Sequence, residues 1–198
     1  MKFAIFFLIF TSIIDAKESS GLTKYNKIIN QAIQDTNSTI QKNILQTSLN
    51  MVQNQVVIKG SCWDYINRVY KNAKVTAKSV VFKSKKGGPY AKRSQLQSGD
   101  WIYHINHSYK NIEHSGLFIA WIDKNNSKAL MLSYAGEGKK TPARFKIYNI
   151  DKTYNIIRAK SQKPIKEPTI KELMQEIANL KKRVKKLEKR LELLKKDM

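Results

Sequence analysis

Apolar residues recur every three or four positions through the C-terminal segment 170–198. Isoleucine or valine occupies most of the first positions of this repeat, and leucine occupies every fourth position. This 3.5-residue period is that of a two-stranded coiled coil. It predicts one long helix that joins two copies of the chain as a parallel homodimer; the alternative is that the helix packs back on the N-terminal helices. The repeat consists of Ile170, Leu173, Ile177, Leu180, Val184, Leu187, Leu191 and Leu194.

Three further segments precede this helix. Residues 17–57 are polar, but their apolar residues recur at helical spacing, which predicts one or two amphipathic helices. Residues 58–160 begin with a helical pattern and then change to strand-like alternation. This change predicts an α+β domain with a helix and a small antiparallel sheet. Residues 161–169 contain Pro164 and Pro168 among polar residues, which is typical of a stiff linker.

The first 16 residues have the pattern of an export signal. Lys2 precedes an almost unbroken apolar run from Phe3 to Ile14, which is too short to span a bilayer as a stable helix. Ala16 suits a cleavage position, so the processed chain is expected to begin at Lys17. The alternative is an uncleaved N-terminal anchor. The signal predicts an exported protein, either periplasmic or secreted.

The chain is strongly basic. It carries 37 Lys and Arg against 15 Asp and Glu, a net charge of +22. Such a charge favours anionic partners. No basic run interleaved with aromatic residues and no helix-turn-helix pattern is present, and an export signal directs the chain away from nucleic acid. We therefore expect no nucleic-acid partner, and the charge favours anionic envelope polymers or lipids as partners, with weak specificity.

Cys62 is the only cysteine. Exported proteins usually use cysteines in pairs, so a single thiol is either a small buried hydrophobe or a reactive group. Ser61 and Asp64 form a capping-box pattern that predicts a helix starting at Cys62. The unpaired N–H groups and the dipole at a helix start favour a thiolate, so this position favours the reactive alternative.

Alternating segments follow the helix. They predict strands near 101–105, 114–122, 129–134, 144–150 and 154–157. A cysteine at a helix start followed by a histidine on an antiparallel sheet is the papain-like arrangement. In that arrangement the imidazole acts on the thiol first as a base and then as an acid.

Three motifs in this region occur in one order. Cys62 lies at the helix start, Gly99-Asp100 opens a strand, and His114-Ser115-Gly116 opens the next strand. Over about 90 residues, from Gly60 to Ile150, the chain resembles the NlpC-type cell-wall cysteine peptidases, which belong to the papain-like superfamily. The resemblance implies a cysteine peptidase or amidase that cleaves peptidoglycan stem peptides, with the bond after D-glutamate as the expected target.

The same resemblance implies a role for each site residue. Cys62 would attack the amide and His114 would carry the proton, while Ser133 or Tyr134 would orient the imidazole. The chain departs from the family pattern at Trp63, where a small residue is usual. Two other functions stay open: a catalytically silent envelope-binding module, and a thiol acyltransferase.

The remaining titratable residues near these motifs have simpler interpretations. His104 lies within a strand and His107 lies in a turn, and each is expected to be hydrogen-bonded or solvent-facing. Glu113 precedes His114 and should point to the opposite face of the strand, as a surface charge. Paired cysteines and metal-ligand spacings are absent from the sequence, so no metal and no cofactor is predicted.

Overall fold

The computed structural model describes residues 21–160 and 169–196. These residues fall into two compact units, 21–160 and 169–196. The predicted signal peptide and nearly all of the predicted linker lie outside the described residues. Within the described residues, no helix is long and apolar enough to cross a membrane.

The described part of the first unit begins with three helices: α1 (Leu22–Asp35), α2 (Thr39–Gln53) and α3 (Cys62–Asn72). The N-cap of α2 is Ser38, whose hydroxyl accepts a hydrogen bond from the Gln41 backbone N–H. Each helix buries one apolar stripe in a shared core, because its apolar residues recur at helical spacing.

The tyrosine Tyr70 fixes α3 to the sheet. Its hydroxyl donates to the carbonyl of Gly99 at 2.8 Å and accepts from the backbone N–H of Trp101 at 3.1 Å. This hydroxyl is buried, and burial is the main cause that raises its pKa far above the ordinary value. The hydroxyl therefore stays neutral, and its hydrogen bonds fix the position of α3 relative to the sheet.

Six antiparallel strands form one sheet in the order β1-β6-β2-β3-β4-β5. Their bounds are β1 (Lys78–Lys83), β2 (Trp101–Asn106), β3 (Ile112–Asp123), β4 (Lys128–Ser133), β5 (Arg144–Asn149) and β6 (Thr153–Ala159). Short 3-10 turns lie at Arg93–Gln95 and Glu137–Lys139. The α+β class predicted from the sequence is confirmed. Strand β1 was not predicted, because its central apolar residues do not alternate with polar ones.

The sheet is strongly curled. Strands β5 and β6 are separated in the sheet by β4, β3 and β2, which is roughly 19 Å at the usual spacing between flat strands. Yet the chain goes from Asn149 to Thr153 in four Cα steps, which span about 15 Å at most. The rings of His104 on β2 and Tyr148 on β5 lie 5.8 Å apart, so these side chains are on the inside of the curl.

The curl gives the sheet two unlike faces. The outer face packs against α1, α2 and α3, and residues such as Trp101, Leu117 and Leu132 belong to this larger core. The inner face holds a second apolar cluster that includes Ile102, Phe118, Leu96, Ala129, Met131, Tyr148, Ile150 and Ile156. Because successive strand residues point to opposite faces, every site residue on a strand belongs to one face or the other.

The second unit contains one helix, α4 (Ile170–Lys196), which is 27 residues long. The apolar side chains of its repeat are exposed where the structure describes them.

Candidate functional site

Cys62 is the first residue of α3, as its flanking residues predict. The Ser61 backbone N–H and hydroxyl both donate to the Asp64 carboxylate, at 2.7 Å and 2.8 Å. These two hydrogen bonds lower the pKa of Asp64. The preceding turn is fixed by the Gly60 carbonyl, which accepts from the Glu137 N–H at 2.8 Å. The thiol is free and partly exposed.

The outer face of the sheet near α3 is aromatic. Trp63, next to the thiol, is 42% exposed, and its ring lies 5.3 Å from that of Trp101. The Tyr103 and Tyr154 rings lie 6.1 Å apart. Burial is the largest cause that raises the pKa of each tyrosine, and the charge of Cys62 adds to it in both. The thiol therefore lies within electrostatic range of both phenols.

Glu113 brings a carboxylate to this cluster. Its side chain forms an ion pair with Lys86 at 2.9 Å and lies beside the Tyr154 hydroxyl. Burial raises the pKa of Glu113, but the Tyr154 and Lys86 interactions outweigh it and leave the pKa below the ordinary value. The same carboxylate raises the pKa of Tyr154, after burial.

The Tyr154 hydroxyl is buried and has no hydrogen bond of ordinary geometry within the described part of the chain. Such orphaned groups are uncommon in folded proteins, because leaving a buried donor unpaired costs about 1–3 kcal/mol. The raised pKa keeps this phenol protonated. It is therefore a protonated phenol near Cys62 that interacts with the Glu113 carboxylate.

His114 lies on the inner face. It pairs across the ladder with His104, and the two rings are 5.7 Å apart. The Nε2 atom of His114 is 2.8 Å from the Ser133 hydroxyl oxygen, and the Tyr148 hydroxyl donates to that oxygen at 2.9 Å. Burial lowers the pKa of His114 to about 4, and the charge of Arg144 contributes.

The structure therefore does not bring Cys62 and His114 together. Cys62 belongs to a helix that packs on the outer face, whereas His114 is surrounded by groups of the inner face. Residues on either side of His114 do face α3: Ser115 accepts a hydrogen bond from the Trp101 indole, and Glu113 adjoins Tyr154. The papain-like delivery of an imidazole to the thiol is not formed in this structure.

The two residues predicted to orient the imidazole have different positions. Ser133 contacts His114 as described above. The Tyr134 hydroxyl donates to the Ile58 carbonyl at 2.7 Å, and its ring stacks on Tyr65 of α3. Tyr134 therefore fixes the chain before α3, and it does not contact the imidazole.

The other histidines differ from each other. His107 is in a turn and pairs with Asp151 at 2.8 Å, as a solvent-facing histidine should. The prediction for His104 is wrong: it is fully buried, and neither ring nitrogen has a hydrogen-bond partner within the described residues. Burial, followed by the charges of His114 and His107, lowers its pKa to about 3.

Sequence reasoning missed Tyr103 and Tyr154. It predicted Glu113 to be a surface charge, and this is confirmed, because Glu113 is exposed and pairs with the exposed Lys86. Alternation does place Tyr103 and Glu113 on one face and His104 and His114 on the other. What the sequence lacks is any sign of which face the helices cover. Among the described residues, no group of three or more His, Cys, Asp or Glu side chains is placed to hold a metal ion.

Comparison with known proteins adds no assignment. Neither a protein-family model nor a curated protein matches this chain.

Proposed function

We propose that this protein is an exported thiol-dependent hydrolase, a peptidase or amidase that cleaves peptidoglycan stem peptides through Cys62. The observation that carries this proposal is the outer-face cluster: a partly exposed thiol at a helix start, close to a protonated phenol and an ionised carboxylate. A reactive cysteine needs an accessible position and groups that stabilise negative charge. Both are present around Cys62.

The proposed attack forms a bond between the Cys62 sulfur and the amide carbon, and the carbonyl electron pair moves onto oxygen. That oxyanion needs donors already in place. The first N–H groups of α3 have no partners within the helix and supply one kind of donor. The neutral Tyr154 hydroxyl supplies the other, because its raised pKa keeps it protonated.

The thiol proton needs an acceptor on the same face. Asp64 is committed to the helix cap. Glu113 is ionised and adjoins Tyr154, so in this proposal the proton passes through the phenol to Glu113. Glu113 then returns the proton to the leaving amine, and water hydrolyses the thioester to release the acid and restore the thiol.

The substrate class comes from the resemblance described above and from charge. A net charge of +22 attracts an anionic polymer such as peptidoglycan to the protein surface. The exposed Trp63 beside the thiol provides an apolar surface for the substrate chain. The expected target is the amide after D-glutamate.

Digestion of purified peptidoglycan tests the proposal. The protein and a Cys62→Ala variant are incubated with the polymer, and the soluble products are identified by mass spectrometry. The native protein should release stem-peptide fragments, and the Cys62→Ala variant should release none. If the native protein releases nothing at any pH between 5 and 9, the hydrolase proposal fails.

One observation favours a second candidate, a catalytically silent envelope-binding module. In this structure His114 has its interactions on the inner face, away from the thiol that it would have to serve. A binding module would sediment with peptidoglycan without releasing fragments, and Cys62→Ala would bind as well as the native protein.

A further inference from the structure

The apolar stripe of α4 is uncovered. Within the described side chains of this helix, Leu173, Ile177, Leu180, Val184 and Leu187 are between 44% and 62% exposed. They lie along one side of the helix, because they repeat every 3.5 residues. We propose that α4 is a self-association surface that pairs two copies of the chain in parallel and in register. This inference does not depend on the chemistry of Cys62.

The stripe needs a partner for a physical reason. An isolated helix gains little stability in water from its own hydrogen bonds, and most helices are stabilised by burying an apolar face. The segment from 170 to 196 also carries ten Lys and Arg against four Glu, so it repels itself electrostatically. Burial of the stripe is the favourable contribution that offsets this repulsion.

A second copy fits the stripe better than this chain's own helices. The apolar residues of α1 and α2 are already buried in the core of the first unit, including Ile29, Ile44 and Leu45. They leave no free apolar stripe of matching length. A second α4 presents an identical stripe with the same period.

The sequence of α4 also selects the parallel orientation. β-branched residues occupy three of the four first positions of the repeat and leucine occupies every fourth position, a pattern that favours two parallel strands. In a parallel pair, Glu176 of one copy faces Lys181 of the other, and Arg183 faces Glu188, so both pairs attract. Only Arg190 and Lys195 repel.

Parallel pairing has a consequence for binding. Both copies of the first unit are then joined at the same end of the coil, through the short segment between Lys160 and Ile170. A polymer with repeated sites would be held by both copies at once. Tethering two binding units raises the apparent affinity by roughly 10²–10⁴ when both sites are reachable.

A disulfide test reports the orientation. In a Cys62→Ser background, Leu187→Cys places a thiol in the seam and Lys182→Cys places one on the outward side of the same helix. In a parallel, in-register pair, mild oxidation should convert most of the Leu187→Cys chain to a covalent dimer, whereas the Lys182→Cys chain should form no covalent cross-link. In an antiparallel pair the two Leu187→Cys thiols are roughly 15 Å apart along the axis, so no cross-link forms.

Sedimentation equilibrium reports the assembly itself. The chain without its predicted signal peptide should have the mass of a dimer at micromolar concentration, and more salt should tighten it by screening the repulsion. Leu180→Lys with Leu187→Lys should give a monomer, whereas the outward pair Gln175→Lys and Asn179→Lys should stay dimeric. A native monomer, or a dimer that Leu187→Cys does not cross-link, would overturn the proposal.

Discussion

The two faces of the curled sheet contain chemically similar groups in different states. On the outer face, Glu113 and Tyr154 lie near a thiol and interact with each other. On the inner face, His114, Ser133 and Tyr148 form a closed hydrogen-bonded chain. The outer groups therefore lie beside a partly exposed sulfur, whereas His114 on the inner face is enclosed and bonded to Ser133.

The chemical type of a residue therefore does not by itself decide its role in this protein. Histidine is the residue usually expected to serve a reactive cysteine, but burial inside the curl lowers the pKa of His114 to about 4. A neutral imidazole bonded to a serine contributes to the packing of the inner face. The outer face instead combines ionised, neutral and aromatic groups next to a partly exposed sulfur.

Two neighbouring residues of β3 give the most direct test of which face of the sheet contributes to the reaction. Glu113→Gln removes the proposed proton acceptor of the outer face and should slow fragment release at least about ten-fold, since acid–base groups contribute roughly 10²–10⁴. His114→Gln changes the inner face and should alter the rate less than about two-fold. Initial rates of peptide release at pH 7, with both variants checked for folding by circular dichroism, measure the two effects.

The opposite ranking of those two variants would break the comparison. A large loss of rate in a folded His114→Gln chain, together with an active Glu113→Gln chain, would mean that the imidazole reaches the thiol.

Acid should destabilise the protein through the inner face. His104 and His114 are neutral in the fold, with pKa values of about 3 and about 4. In the unfolded chain both regain a pKa near 6.5, so that state binds more protons as the pH falls below 6.5. The contribution of the neutral histidines to the free energy of unfolding is fully present above pH 6.5. Titration of each histidine should lower the free energy of unfolding by about 2 kcal/mol between pH 6.5 and pH 5. Urea unfolding across this range measures it.

A matched variant identifies the source of that pH dependence. His104→Leu should roughly halve the slope of the stability profile between pH 5 and pH 6.5, because it removes one of the two buried histidines that titrate. His107→Leu should leave the slope nearly unchanged, since His107 lies in an exposed turn. An equally steep profile in His104→Leu would show that other groups cause the acid sensitivity.

Ser133 offers a smaller test of the inner face. Ser133→Ala leaves the His114 Nε2 atom and the Tyr148 hydroxyl without their shared partner. The expected loss is about 1–3 kcal/mol in the free energy of unfolding, with an unchanged rate of hydrolysis. A rate that falls in parallel with stability would assign Ser133 a part in the reaction.

The smallest expected effect is on the outer face. The ion pair between Lys86 and Glu113 joins two substantially exposed side chains, so Lys86→Ala should change the free energy of unfolding by less than about 1 kcal/mol. The contribution of this ion pair to stability should also decrease with added salt. Thermal unfolding at low and high salt measures the effect, with Lys85→Ala as the control variant. A loss of more than about 1 kcal/mol in the free energy of unfolding would mean that Lys86 organises the site.

Several features were predictable because their causes are local. Ser61 and Asp64 fix the start of α3 through a cap that involves only neighbouring residues. The alternation of β2 and β3 correctly separates Glu113 from His114, since successive strand residues point to opposite faces. The heptad repeat predicts the helix that the structure describes from Ile170 to Lys196.

Other features depend on the curl and on which face the helices cover. No local pattern distinguishes the inside of a curled sheet from its outside, because both faces of β2 and β3 carry apolar and polar residues. The alternation therefore determined that Glu113 and His114 point apart. Only the tertiary structure decided that the carboxylate shares a face with Cys62 and that the imidazole is enclosed, because this depends on how α3 packs across the sheet and how β5 returns to β6.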